Sequence, residues 1–397
     1  MPTRPLGQVE FVALMAMLSA TIAFSIDSML PALPQIALEL SPANPNQAQL
    51  ILTSFVLGLG VGTLFAGPLS DTFGRKPVIM AGAALYSVAA VVAYFAPSLE
   101  TILLARIVQG LGAAGPRIVT QALIRDLYKG RDMARIMSFT MMVFILVPAV
   151  APMMGQVIIA GFGWRAVFLA FLVFSAVSML WMTLRQPETL PSSARRAMTL
   201  GGLWSSLREV LSHRVIVISI LVQTLGFASI FGSLSQIQQI FDQVFARGDS
   251  FPQWFALIAL FSGLASILNA QLVGRLGMRF LVKRTYSLQA AFSALVALTF
   301  LFDIWPPQAA FAVYFLWSIS VFALGGLTIG NLNALGMEPV GHIAGMAASV
   351  MGALATVGAV IFAVPLGLAF DGTPLPLMIG ITIFALIGSV LMRAMPK

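Results

Sequence analysis

Apolar residues in this chain collect into long runs, separated by short segments that carry most of the charge. A helix of about 20 apolar residues spans the ~30 Å hydrocarbon core of a bilayer. Twelve runs of this kind are read: 9–33, 47–69, 77–96, 99–123, 134–160, 164–185, 214–241, 253–276, 280–302, 306–335, 341–370 and 375–394. The expected fold class is all-α, with twelve transmembrane helices. The first run is too long for a signal peptide and eleven more follow it, so it reads as an uncleaved helix. The longest non-apolar stretch, Arg185 to Arg214, divides the spans six and six. This gives an N-terminal bundle over 1–185, a linker over 186–213 and a C-terminal bundle over 214–397. In the linker, Leu200, Leu203, Trp204, Leu207, Val210 and Leu211 recur at helical spacing beside Arg208 and Glu209. That pattern predicts an amphipathic helix on the inner face.

Composition agrees with a membrane protein. Of the 397 residues 59% are hydrophobic and 9% charged, where soluble domains carry about 25% charged residues. A formal charge of +8 invites a nucleic-acid reading, but the positions of the charges remove it. With the N-terminus inside, every Lys and Arg except Arg106, Arg117, Arg165 and Arg247 falls on an inner segment, including Arg4, Arg196 and Lys397. This is the positive-inside bias, and it places both termini in the cytoplasm. Trp164, Trp254 and Trp305 fall at predicted outer boundaries, as an interfacial belt would. There is no cysteine, which rules out a disulfide framework or a thiolate metal site. His213 lies just before one apolar run and His342 at the edge of another, and two isolated histidines cannot alone build a zinc site, so no metal or cofactor is expected.

The chemistry centres on a carboxylate. Asp27 lies in the stretch TIAFSIDSMLPALP of the first run and is taken as the sole acid within the spans. A carboxylate in hydrocarbon is costly and marks a functional site by default. Helix 4 enters from outside near Leu99, so Arg106 sits about 10 Å deep at 1.5 Å per residue, at a depth comparable with Asp27. Opposite charges at matched depth are expected in one polar network, directly or through intervening groups. Burial and an adjacent arginine act in opposite senses on the protonation of Asp27. Arg117 lies three turns further inward and reads either as snorkelling to the cytoplasmic face or as cavity-lining. Gln223, Gln236 and Asn269 are neutral candidates for a cavity in the second half, or for interhelical hydrogen bonds.

The halves echo each other weakly. GPLSDTFGRKP at 67–77 and AQLVGRLGMRF at 270–280 align on Gly74 and Gly277, with Gly274 opposite Asp71. Two pseudo-symmetric six-helix bundles around a central cavity are the architecture of many secondary transporters. In the first loop, Gly67 and Gly74 permit close approach and a tight turn, and Pro77 suits a first helical turn. Asp71, at the inner end of helix 2, is placed to meet a helix N-terminus or a nearby arginine.

These residues carry a family resemblance across the whole chain. The loop at 67–77 resembles the signature of the major facilitator superfamily. LLARIVQGLGAAG at 103–115 resembles the helix-4 signature of its proton-coupled drug antiporters, and VPAVAPMMG at 147–155 the helix-5 signature of exporters. DSMLPALP at 27–34, RDLY at 125–128 and AGMAASVMG at 344–352 resemble the Bcr/CflA branch, the bicyclomycin and chloramphenicol resistance-type exporters. The second-half loop departs by lacking its acid, and the helix-5 signature by closing on Gly155-Gln156 rather than a double glycine. The resemblance implies a gating network of Asp71, Arg75 and Asp126, with Lys76 a gating or lipid-anchoring residue, and a part for Arg106 in proton coupling. Pro148 and Pro152, four apart in helix 5, remove backbone donors and bend a helix that would line the cavity, with Gly155 closing the motif.

Two glycine motifs read differently. GLGAAG at 110–115 fits a dinucleotide pattern formally, but no strand precedes it. With GLGVG at 58–62 it reads as a small face for close helix packing. The expected function is export of small, largely apolar drugs in exchange for protons, by a monomer in the bacterial inner membrane. The alternative is an exporter of a narrower class, a sugar or amino-acid derivative. An enzyme is not expected: the chain has no HExxH, no paired intramembrane aspartates and no soluble domain.

Overall fold

The apolar runs fold as helices because a backbone in hydrocarbon must satisfy its own polar groups. The computed structural model describes residues 6–195 and 200–396; Arg4, Arg196 and Lys397 of the charge pattern lie outside the described residues. The α-helices are α1 (Gln8–Asp27), α2 (Leu33–Leu40), α3 (Leu50–Phe73), α4 (Arg75–Tyr94), α5 (Leu99–Leu127), α6 (Gly130–Phe162), α7 (Ala166–Arg185), α8 (Leu200–Ser212), α9 (Arg214–Gln239), α10 (Phe251–Leu276), α11 (Met278–Leu301), α12 (Pro307–Met337), α13 (Ala344–Leu368) and α14 (Leu375–Arg393). Twelve of them, all but α2 and α8, have 19 residues or more. No strand occurs among the described residues.

The first run is not one helix. α1 stops at Asp27, a 3-10 turn follows at Leu30–Ala32, and α2 starts at Leu33. Pro31 and Pro34 cause the break, since neither supplies an N–H to the carbonyl four residues earlier. The acid therefore stands at the end of a helix. The reading of Asp27 as the sole acid of the spans also changes: Glu10 and Glu100 stand in the first turns of α1 and α5. Asp27 is instead the one described acid with a buried side chain, 4% exposed. Trp164 is buried at the corner before α7 rather than presented at the surface.

Two compact units divide the chain: Met1–Ile36 with Ser54–Ser206, and Ala37–Thr53 with Leu207–Lys397. The helix pairs of the first recur in the second. In the first unit α4 packs on α5 and α7, and α1 on α5, α6 and α7. In the second, α11 packs on α12 and α14, and α9 on α12, α13 and α14. The turns also match. Gly74 has φ 107 and Gly277 φ 80, conformations open to glycine at little cost. Each glycine N–H bonds the carbonyl four residues back, on Ser70 and Val273. α8 occupies the linker, with Val210 buried and Trp204 exposed; the side chain of Leu203 is outside the described ones.

The glycine motifs act in packing. A Cβ on Gly58 or Gly62 would strike the α5 backbone at Ile107 and Leu111, and one on Gly110 would strike Phe55 and Leu59 of α3. Gly82 and Gly112 face one another across α4 and α5, each against the other's carbonyl oxygen. α5 is thus held backbone to backbone on two sides, as small residues permit in membranes.

Candidate functional site

Two polar clusters in the first unit collect the sequence-predicted residues. The deeper one is built on α1, α4 and α5. Arg106 is fully buried, and such a charge must be hydrogen-bonded to persist. Its Nη1 donates to Gln109 Oε1 at 2.7 Å and its Nη2 to the Ser25 carbonyl at 3.0 Å. The guanidinium lies 4.4 Å from the Phe55 ring centroid and 5.7 Å from that of Phe171, a cation–π arrangement favoured by desolvation. The Ser25 hydroxyl bonds the Tyr86 hydroxyl of α4. Arg106 therefore reaches α1 two residues before Asp27, at a backbone carbonyl and not at the acid. Among the described residues no hydrogen bond or ion pair to the Asp27 carboxylate is formed.

Gly155 connects this cluster to helix α6. A Cβ there would strike the backbone of Ser28, the residue after Asp27. The glycine of the helix-5 motif thus lets α6 lean directly on the α1 break. α6 runs unbroken through Pro148 and Pro152. Arg117, one residue after Pro116 of α5, is half-buried.

The second cluster is at the Gly74 turn. Arg75 Nη1 donates to Asp71 Oδ1 at 2.5 Å and its Nε to Asp126 Oδ2 at 2.9 Å. Nη1 also reaches Ser70 Oγ at 2.7 Å, and the Ser70 hydroxyl donates to the Gly67 carbonyl. Five of the loop residues singled out in the sequence, Gly67, Asp71, Gly74, Arg75 and Asp126, therefore come together here. Lys76 turns away: its Nζ donates to the carbonyls of Thr183 and Gln186, groups left unpaired where α7 ends.

Sequence reasoning passed over Glu188. Its carboxylate accepts from the backbone N–H groups of Arg75 and Lys76, both at 3.0 Å, and from those of Thr189 and Leu190. It caps the start of α4, where anions are favoured. Its position within a polar linker, 113 residues from Arg75 in sequence, hid this role. The Tyr86-Ser87 and Tyr286-Ser287 pairs were also missed. Ser87 bonds Ser175 of α7, and Ser287 bonds Ser389 of α14. Tyr286 donates to the Val222 carbonyl of α9. The repeated Tyr-Ser dipeptide, on matching helices, was the available signal.

In the second unit the candidate cavity residues are tied into interhelical bonds. Gln223 of α9 donates to Asn333 Oδ1 of α12 at 3.1 Å, and Asn331 of α12 donates to Asn269 Oδ1 of α10 at 2.7 Å. Gln236 donates to the Leu366 carbonyl at the end of α13. Beside it, Gln49 donates to Gln239, Gln239 to Asn46 Oδ1, and Asn46 to the Phe370 carbonyl. No group of three or more metal-ligating side chains occurs among the described residues.

Comparison with known proteins extends this picture. The model of the Major Facilitator Superfamily matches residues 12–363. A bicyclomycin resistance protein homolog of Haemophilus influenzae is 27% identical, over 87% of this chain and 85% of its own. The multidrug resistance protein MdtL of Shewanella oneidensis is 27% identical over 94% and 92%. The crystal structure of a D-xylose-proton symporter superposes with a TM-score of 0.80, covering 98% of both chains at 15% identity; likeness at that identity speaks to the fold alone.

Proposed function

The chain belongs to the Major Facilitator Superfamily and is a multi-pass membrane transporter, not an enzyme, and we propose that it exports small, largely apolar drugs in exchange for protons by alternating access. Drug efflux is supported by relatives named for bicyclomycin and multidrug resistance. The observation that carries the antiport reading is the buried Asp27 at the α1 break, with Gly155 of α6 packed on the next residue. The bacterial relatives and the inward bias of the basic residues support an inner-membrane protein with both termini cytoplasmic.

Asp27 is the proton carrier in this scheme. A proton taken from outside neutralises it, and release to the cytoplasm restores the charge. Arg106 holds α5 to α1 at the Ser25 carbonyl, two residues before the titrating acid. A change in hydration at Asp27 acts on the α1 break, and Gly155 passes the adjustment to α6 without an intervening side chain. The Asp71–Arg75–Asp126 cluster latches the inner ends of α3, α4 and α5. Drug and proton must favour opposite protonation states, because a ligand without differential affinity shifts no equilibrium.

The test is transport in proteoliposomes under an imposed pH gradient, wild type against Asp27→Asn, with a panel of apolar antibiotics and dyes. Loss of gradient-driven uptake with drug binding retained supports antiport through Asp27. Equal uptake by both would place coupling elsewhere. Failure of the wild type to move any panel compound would favour the narrower metabolite class.

A further inference from the structure

The second unit holds a cavity lined by none of the residues of these clusters. It has a volume of about 640 Å³ and is lined by the segments after α9, between α11 and α12, and between α13 and α14. These segments share one end of the unit, since helices alternate in direction, and it is the end the basic-residue pattern places outside. The size lies within the range of small-molecule sites.

Its lining combines aromatic walls with one positive and one negative group. Phe245, Phe300, Trp305 and Phe311 provide the walls, and Arg247 and Asp303 the charges. The Arg247 guanidinium lies 4.1 Å from the Phe311 ring centroid and 5.5 Å from that of Trp254. It is propped by aromatic faces, and no ion pair joins it to Asp303 among the described residues. Asp303 and Ala246 hold left-handed backbone conformations, φ 48 and 52. Non-glycine residues adopt these at a cost, and such strain gathers at ligand sites. Leu301, Phe302 and Ile304 beside the mouth are more than half exposed, a surface suited to acyl chains.

We propose that this cavity binds the headgroup of a zwitterionic aminophospholipid from the outer leaflet. The phosphate takes Arg247 through charge-assisted hydrogen bonds. The ammonium takes Asp303, and the glycerol end leaves between Phe300 and Trp305 toward the exposed apolar surface. A separated cation and anion facing one cavity select a ligand carrying both charges over a purely anionic lipid. A quaternary amine, lacking N–H donors, binds Asp303 less well.

The experiment uses the full-length protein in phosphatidylglycerol nanodiscs carrying a minor fraction of phosphatidylethanolamine or phosphatidylcholine, with retained lipid counted by native mass spectrometry. Phosphatidylethanolamine is expected to be retained about tenfold over the other two, the scale of one hydrogen bond to a charged group. Arg247→Gln lowers retention of phosphatidylethanolamine about tenfold. Asp303→Asn removes the preference among the lipids and, on an exposed turn, leaves the fold intact. Should Arg247→Gln melt early through loss of its aromatic prop, the Asp303→Asn selectivity decides alone. Unchanged selectivity in Asp303→Asn overturns the proposal. So does displacement of the lipid by free phosphoethanolamine at equal concentration, which would mark the site as one for a soluble zwitterion.

Discussion

The turns at Gly74 and Gly277 share a backbone but not a chemistry. Both glycines have positive φ, both close the same N–H to carbonyl bond, and both precede a helix bearing a Tyr-Ser pair. Around Gly74 stand Asp71, Arg75, Asp126 and Glu188, whereas a Cβ on Gly277 would meet nothing within 4 Å. The same division holds inside the bundles. The first unit buries Asp27 and Arg106, while α9 and α12 of the second bury amides and hydroxyls. Similar helix packing therefore requires neither charge set. The charges are an addition to the fold, located in the half for which proton coupling and latching are proposed.

Substitutions in the corresponding turns and helices of the two units break or sharpen that contrast. The largest expected effect is at Arg75. Removing it leaves Asp71 and Asp126 without their cation at a mostly buried site, where breaking a pair costs about 3 kcal/mol, less here because Asp71 is half exposed. Arg75→Ala should melt well below wild type in detergent, whereas Arg279→Ala, an arginine of the second turn at the register of Lys76 that bonds the Pro396 carbonyl, should melt close to wild type. Equal melting of the two variants would remove the distinction between the turns.

Next comes Gly155→Ala. Overpacking against backbone costs about 2 kcal/mol, and the separation of α6 from the α1 break should slow gradient-driven drug uptake at least tenfold. Gly358→Ala of α13 meets only the Thr224 side chain, which can rotate, so uptake should stay within about twofold of wild type. Smaller still is Gly74→Ala against Gly277→Ala. Each carries a positive-φ strain of about 1 kcal/mol, but only the first also displaces the Glu188 cap, so its melting loss should be clearly greater. The smallest effect is Tyr86→Phe beside Tyr286→Phe. Each loses one buried hydrogen bond worth about 1 kcal/mol, and similar melting losses would fit a shared structural part.

The sequence made the twelve helices legible because hydrocarbon imposes a length and leaves few alternatives. It also made the Gly74 turn legible, since glycine, proline and the charges sit within eleven residues of one another. The break after Asp27 was within reach: Pro31 and Pro34 were visible, but the apolar run continues through them and hydropathy does not report hydrogen bonds. Glu188 was out of reach, as its partners are set by how α7 returns to α4. The facing of Gln223, Gln236 and Asn269 was equally hidden, because an amide in an apolar helix reads the same whether it meets a ligand or a neighbouring helix.

The glycine seam around α5 has an evolutionary consequence. Where backbone meets backbone, substitution can only add volume, so drift at Gly58, Gly82, Gly110 and Gly112 is closed. A lineage under selection for a new compound must search elsewhere, on helix faces where side chains already intervene. Variation among natural variants should therefore thin out along this seam, leaving α5 a fixed spine against which the rest of the first unit is free to diversify.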